Sequence, residues 1–325
     1  MGFKIEKGEK IKISGIVALL YGEPGAGKTS TALSSSKPIL FDFDGGVQRC
    51  EFRTGKDIVR ISKWTEITSS FAKFDEMLAD YDTIVIDTVD NCLKYIRIYI
   101  EDSDYKMKTN KLQMYGRMKD EFELFLNRIK NMNKNVVLIA HSTTEEQNGV
   151  QRTIPKITGG SRDIVASTSD YIGYMRMINN QRTVNFNPTD LNEGKVTGKF
   201  GIIKLPDFRE ESEHGSNFFA GIFEQMRKAM QLSADNQAQA VQDIKIFADR
   251  ILKSNNADSL HELMNEMSQI KNGVKKQLWE RMKVRAGELN LEFDPEKKKF
   301  FKPAPVAAVE LLEPVSSSDD DFNFE

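Results

Sequence analysis

The sequence predicts an α/β fold, a mostly parallel sheet covered by helices on both faces. Two observations predict it. Short, wholly apolar runs alternate with amphipathic stretches of helical period, and strands buried on both faces need crossover helices between them. The first apolar run also leads into a glycine-rich turn and then a helix-forming segment, the arrangement that presents backbone N–H groups to an anion.

Residues 16–21 are the first predicted strand, and residues 30–35 start the helix after the turn. Residues 38–43 are a second strand, followed by Asp44 and the pair Gly45-Gly46. A short strand is predicted over 58–61, and Phe71, Phe74, Met77 and Leu78 recur at helical spacing. Residues 83–86 are a β-branched strand. Residues 90–100 and 112–130 predict helices, the second with Phe122, Leu124, Phe125 and Ile129 as its buried stripe. Residues 136–140 form another continuous apolar strand, and 171–178, 182–186 and 200–205 predict more. This body fills about residues 11–210.

The pattern changes near residue 218. Between Gly221 and Gly287 the only glycine is Gly273, so little interrupts a helical reading. Leu260, Leu263, Met264, Met267 and Ile270 lie along one helix face. The expected organisation is an α/β domain over 1–215, a small helical module over 216–300, and a linker with a disordered acidic tail over 301–325.

Composition excludes several classes. With 46 Lys and Arg against 48 Asp and Glu, the net charge is −2 and a bulk basic protein is excluded. No cation follows Lys302, and without the six acids beyond it the body reaches about +4. Residues 271–302 hold ten Lys or Arg against five acids. Cys50 and Cys92 form no C-x-x-C, which argues against a disulfide scaffold or zinc ribbon. His141, His214 and His261 are too scattered for a histidine metal site. No apolar run approaches the ~18–20 residues of a membrane span, and the N-terminus has no secretory core. A cytoplasmic chain with no membrane partner is expected.

Gly22-Glu23-Pro24-Gly25-Ala26-Gly27-Lys28-Thr29 fits G-x-x-x-x-G-K-[ST] without a mismatch, and Ser30 follows in the helix. Glycines let successive N–H groups turn toward a β-phosphate, and the helix adds its N-terminal partial charge. Lys28 is placed for the β- and γ-phosphates, and the Thr29 hydroxyl for Mg²⁺. These residues predict ATP and Mg²⁺ as ligands. Asp87, at the end of the 83–86 strand, is the second expected Mg²⁺ group. AAA+ enzymes usually place a catalytic Glu after that acid, whereas Thr88 stands here. The water-activating carboxylate must come from elsewhere, or hydrolysis must be poor. Asp44 is the candidate general base, with Asp42 its competitor; both also read as strand-end turn acids. His141 ends the 136–140 strand, where such sheets bind ligands, and is a candidate γ-phosphate sensor or a structural histidine.

Five features in order carry a family resemblance: the loop at 22–29; Phe41-Asp42-Phe43-Asp44-Gly45-Gly46; Ile84-Val85-Ile86-Asp87-Thr88; Tyr115-Gly116 leading a helix with Asp120, Phe122 and Leu126; and Val136-Val137-Leu138-Ile139-Ala140-His141. Together they resemble the RecA-like phage P-loop ATPases, including the "Sak-four" single-strand annealing recombinases. The resemblance covers about residues 11–210. It implies a RecA-like core, ATP binding, single-stranded DNA binding and promotion of strand annealing or exchange in recombination, in the cytoplasm of an infected bacterial host. It departs at Asp44, where a Glu is often found. A homo-oligomer is expected; in ring or filament ATPases a cation from one subunit can reach the neighbour's γ-phosphate, and Lys199 or Lys204 could do so here, although each also reads as a solvated lysine on a strand.

Arg152, Lys156 and Arg162, in the polar stretch after His141, are candidate DNA contacts, and the same stretch reads equally as a solvated hairpin. The end of the chain, Ser316-Ser317-Ser318-Asp319-Asp320-Asp321-Phe322-Asn323-Phe324-Glu325, is similar to the acidic, aromatic-ending tips of single-stranded DNA-binding proteins, departing from them at Glu325, where such tips usually end in Phe. It suggests docking on such a protein or on a replication protein, or else a solubilising tail. The leading expectation is a DNA-dependent ATPase of recombination. A RecA-like helicase or helicase loader, and a nucleotide-switched binding module without catalysis, are the alternatives.

Overall fold

The computed structural model describes residues 13–105, 112–147, 149–209, 213–270 and 273–303. The acidic tail lies outside these residues. The chain divides into two compact units, Met1–Asp235 and Asn236–Glu325.

In the first unit the elements run β1 (Val17–Gly22), α1 (Lys28–Leu33), β2 (Pro38–Asp42), β3 (Asp57–Arg60), α2 (Trp64–Ser70), α3 (Phe74–Met77), β4 (Thr83–Asp87), α4 (Val89–Ile100) and α5 (Leu112–Lys130). They continue with β5 (Asn135–Gln147), β6 (Val150–Pro155), α6 (Ser161–Thr168), β7 (Tyr171–Ile178), β8 (Gln181–Asn185), β9 (Ile203–Lys204), α7 (Glu213–Ser216) and α8 (Phe218–Lys253), whose C-terminal part belongs to the second unit. The sheet order is β3-β2-β4-β5-β1-β7-β8-β9, with β6 paired to β5. The strands from β3 to β7 in this order are parallel, and β6, β8 and β9 pair antiparallel. The expected mostly parallel sheet is present. One strand, β5, lies between β1 and β4, so it separates the glycine-rich turn from Asp87.

Alternation along the strands builds one core on each face. Leu19, Ile84, Ile86 and Leu138 point to the side covered by α2, α4 and α5, with Trp64, Phe122 and Phe125 among their neighbours. Ala18, Leu20, Val85 and Val137 point to the side covered by α1 and the start of α8. Leu124 does not join the buried stripe of α5; it is 58% exposed, because Leu126 and Met118 lie on the sheet-facing side instead. Met77 is likewise exposed, while Phe74 and Leu78 are buried.

The first unit extends past the boundary expected at 215. Phe218, Phe219, Ile222, Phe223 and Met226 of α8 are buried in the core that contains α1. Ser34, the residue after α1, accepts the Phe219 N–H on its hydroxyl at 3.1 Å and the Ala220 N–H on its carbonyl at 3.2 Å.

The second unit contains α9 (Ala257–Ser268), α10 (Lys275–Glu288), β10 (Glu292–Asp294) and β11 (Lys299–Phe301). Leu260, Leu263 and Met267 of α9 meet Leu278 and Met282 of α10 in its core. The module is not wholly helical: β10 and β11 form an antiparallel hairpin around Pro295. Its Phe293 and Phe300 pack on Trp279. Among the described residues no helix is long and apolar enough to cross a membrane.

Candidate functional site: a phosphate cleft at the sheet edge

The glycine-rich turn takes its shape from three glycines. Gly22 ends β1 where a β-carbon would lie 2.2 Å from the Met175 carbonyl oxygen, so only glycine fits against β7. Gly25 and Gly27 have φ of 83° and 91°, the left-handed region. Helix α1 begins at Lys28 directly after them. The turn opens onto a cleft of about 460 Å³ at the C-terminal edge of the sheet.

Sequence residues far apart meet in this cleft: Lys28, Thr29, Asp44, Asp87 and His141 all line it, with Pro24, Gly25, Gly27 and Ser30 of the turn. Glu23 and Ala26 shape the turn through a 3.2 Å hydrogen bond from the Ala26 N–H to the Glu23 carbonyl. Lys28 Nζ donates to the Gly22 and Glu23 carbonyls, each at 2.9 Å. Burial lowers its pKa, and the charges of Asp87, Asp44 and Glu23 oppose that shift.

Thr29 Oγ1 donates to Asp87 Oδ2 at 2.6 Å. Asp87 is 5% exposed. Burial pushes its pKa up to about 6; Asp44 and Asp42 add to the rise, while the Thr29 bond and Lys28 oppose it. Thr88, after Asp87, is buried and caps α4, its hydroxyl accepting from the Asn91 N–H at 3.4 Å and Asn91 Nδ2 at 3.2 Å. The position held by a catalytic Glu in AAA+ enzymes thus serves here as a helix cap.

The two acids of the second strand end have different surroundings. Asp42 sits opposite Asp87 in the β2–β4 register and is 2% exposed. Its Oδ1 accepts the Gly45 N–H at 2.9 Å, and its Oδ2 is buried without a partner among the described residues. Burial, then the charge of Asp44, raises its pKa. Asp44 lines the cleft and accepts the Gly46 N–H at 2.5 Å.

His141 lies opposite Gly22 in the β1–β5 register. Burial and the charge of Lys28 hold its pKa below 6.5 against the pull of Asp90 and Asp44, so it is neutral at pH 7. Its Nδ1 is buried without a partner among the described residues.

The cleft suits a nucleotide and Mg²⁺. The left-handed glycines and the close approach at Gly22 leave room for phosphate oxygens beside backbone N–H groups. Thr29 and Asp87 offer hard oxygen donors, and Mg²⁺ typically takes only one or two protein ligands, the rest being phosphate and water. Among the described residues no cluster of three or more His, Cys, Asp or Glu side chains is arranged to hold a metal alone.

The other expected residues lie elsewhere. Beyond His141, β5 leaves the parallel sheet and pairs with β6 as a hairpin. Lys156, at its base, is exposed, and its N–H donates to the His141 carbonyl at 2.8 Å. Arg162 is engaged by Glu145 at 3.0 Å and Glu193 at 2.8 Å. Arg152 donates to Gln147 and to the Asn192 carbonyl, both at 3.4 Å. Lys199 and Lys204 are exposed and do not line the cleft. Residues not anticipated do line it: Arg182 of β8, the 207–209 segment, and Phe52 with Cys50 from the turns after β2. No local motif marks them, because they join the site only through tertiary packing.

Comparison with known proteins agrees with this geometry. The chain is similar to the SPbeta prophage-derived uncharacterized protein YorG of Bacillus subtilis (strain 168), 25% identical over 279 residues, which cover 80% of this chain and 79% of that protein. Residues 14–197, the span from β1 to the segment before β9, match the AAA domain. That span is more than half of the sequence and contains every residue of the phosphate turn, and by it the chain belongs to the AAA domain family of P-loop ATPases.

Proposed function

We propose that this chain is a Mg²⁺-dependent ATPase that binds single-stranded DNA and promotes its annealing. The convergence of Lys28, Thr29 and Asp87 on the phosphate turn carries the ATPase reading. The turn's N–H groups and Lys28 would bind the β- and γ-phosphates. Bound Mg²⁺, held through Thr29 and Asp87, would supply positive charge at those oxygens. Asp44 has the exposure to orient the attacking water and take its proton, whereas Asp42 is committed to Gly45 and lies outside the cleft lining. Neutral His141 can donate to or accept from the terminal phosphate side of the site.

The DNA reading rests on the family resemblance. The hairpin that leaves the sheet at His141, with Lys156 exposed at its base, is the surface we propose for phosphate contacts. Arg162 contributes less, since its charge is already paired. A homo-oligomer on DNA, with the acidic tail directed to a basic partner protein, belongs to the same proposal.

Two observations favour a second reading. Thr88 is a helix cap and Asp44 is one methylene shorter than a Glu, so turnover can be slow enough for nucleotide to act as an assembly switch.

The test is ATP hydrolysis by wild type and Lys28→Ala, without DNA and with single- or double-stranded DNA, at two salt concentrations, followed by annealing of complementary strands. Stimulation by single strands, weakened by salt and lost in the variant, is expected. Hydrolysis that survives Lys28→Ala removes the ATPase reading. Absence of both stimulation and annealing removes the DNA reading.

A further inference from the structure

Arg182 stands against the phosphate turn although 157 positions separate it from Gly25. Its Nε donates to the Gly25 carbonyl at 3.2 Å. A β-carbon added at Gly27 would lie 3.2 Å from Arg182 Cδ, so the stem runs along the second left-handed glycine. The backbone of Arg182 is held in place as well. The Leu205 N–H donates to its carbonyl at 2.9 Å, and Gln181 Nε2 bridges to the Leu205 carbonyl at 2.7 Å.

The head group remains available. A guanidinium has five donors in a fixed planar fork, suited to phosphate oxygens. Only Nε is used here; among the described residues the two terminal nitrogens make no hydrogen bond. The neighbouring acid, Asp207, does not take them. Arg209 holds Asp207 with Nε at 2.8 Å to Oδ1 and a terminal nitrogen at 2.5 Å to Oδ2. Arg182 therefore lines the same cleft as Lys28, Asp87 and His141 and makes no ion pair among the described residues; it lies within the field of Asp207, whose oxygens Arg209 occupies.

We propose that Arg182 acts in cis as a catalytic arginine, binding the terminal phosphates of a nucleoside triphosphate and stabilising the charge that develops during transfer. This rests on the ATPase reading of the cleft. In the reaction, a water oxygen bonds to the γ-phosphorus as the bond to the β–γ bridging oxygen breaks. ADP leaves with that electron pair, and the water proton passes to Asp44. Arg182 donates hydrogen bonds throughout and exchanges no proton. A cation already supplied from β8 takes over the task expected of Lys199 or Lys204 from a neighbouring subunit.

The experiment compares the full-length wild type, Arg182→Ala, Arg182→Lys, Arg182→Gln and Lys28→Ala. It measures steady-state ATP hydrolysis and equilibrium binding of ADP. Arg182→Ala should lower kcat by about 10²–10³-fold, near the low end for removal of such an arginine, while ADP affinity stays within about threefold. Arg182→Lys should recover part of the rate, having charge without the fork. Arg182→Gln keeps much of the stem beside Gly27, so a low rate with normal ADP binding in that variant assigns the loss to charge rather than to a collapsed turn.

Three results separate the possibilities. A kcat for Arg182→Ala within about threefold of wild type, when Lys28→Ala is inactive, overturns the role of Arg182 alone. Loss of ADP affinity in step with kcat in all three Arg182 variants also overturns it, since the side chain then only shapes the turn. No hydrolysis by wild type with or without single-stranded DNA overturns the ATPase reading and this role with it.

Discussion

Replacing Asp87 by Asn should stabilise the first unit while it removes activity. Asp87 is 5% exposed at the sheet edge, and its pKa rises from 3.8 to about 6. Between those values the folded chain binds a proton that the unfolded chain releases. The contribution of Asp87 to folding is therefore most favourable below pH 3.8 and is lost as pH rises through about 6. A rise of about two units corresponds to about 3 kcal/mol at pH 8 and about 1.5 kcal/mol at pH 5. An Asn is neutral throughout and escapes this cost, and its amide oxygen can still accept the Thr29 hydroxyl, now at 2.6 Å from Asp87. The measurement is urea unfolding of the chain without nucleotide or Mg²⁺, in a Trp279→Phe background. Fluorescence then reports on Trp64, which is 1% exposed in the first unit. The Asn variant should be more stable by about 3 kcal/mol at pH 8, with the difference halved at pH 5 and near zero at pH 3.5. An Asn variant no more stable than wild type at pH 8, or a difference that does not change with pH, would refute the argument.

Gly22→Ala should destabilise the first unit by about 3 kcal/mol or more, since the new methyl meets a backbone carbonyl of β7 that cannot move without breaking the ladder; denaturant titration checks it. Thr88→Ala removes the cap of α4 and should cost about 1 kcal/mol in the same assay. If the hairpin contacts DNA, Lys156→Ala should weaken binding to single strands at low salt and reduce the salt slope by about one, measured by fluorescence anisotropy. Arg162→Ala should have the smaller effect on that slope, because its charge is already paired with Glu145 and Glu193.

The parts of this site written in consecutive residues were legible in the sequence. Continuous apolar runs marked β1, β2, β4 and the first half of β5, and the spacing from Gly22 to Thr29 placed the turn and its lysine. Asp87 was legible as the acid that ends such a run. Arg182 was not, because its role comes from the pairing of β8 with β7 and from a side chain crossing to Gly25, neither of which leaves a periodic signal. Leu124 misled for a related reason. An apolar residue within a helical stripe looks buried by spacing alone, yet the facing surface was already filled by Met118, Phe122, Phe125 and Leu126. The β10–β11 hairpin was not legible, because its two strands are three residues each and the second follows a run of lysines, Lys297, Lys298 and Lys299, with no alternating apolar pattern around Phe300.

The bond between Ser34 and the start of α8 has a consequence for the order in which the protein is made. Helix α1 is six residues long, too short to persist by itself. Its outer face is covered by Phe219, Phe223 and Met226, which emerge from the ribosome almost two hundred residues after Thr29. At about 5–20 residues per second that interval is about 10–40 s. During it the phosphate turn has been synthesised but lacks its backing. The nascent chain should bind nucleotide only once α8 has begun to form, and a chain released at residue 215 should expose the apolar face behind α1 and aggregate.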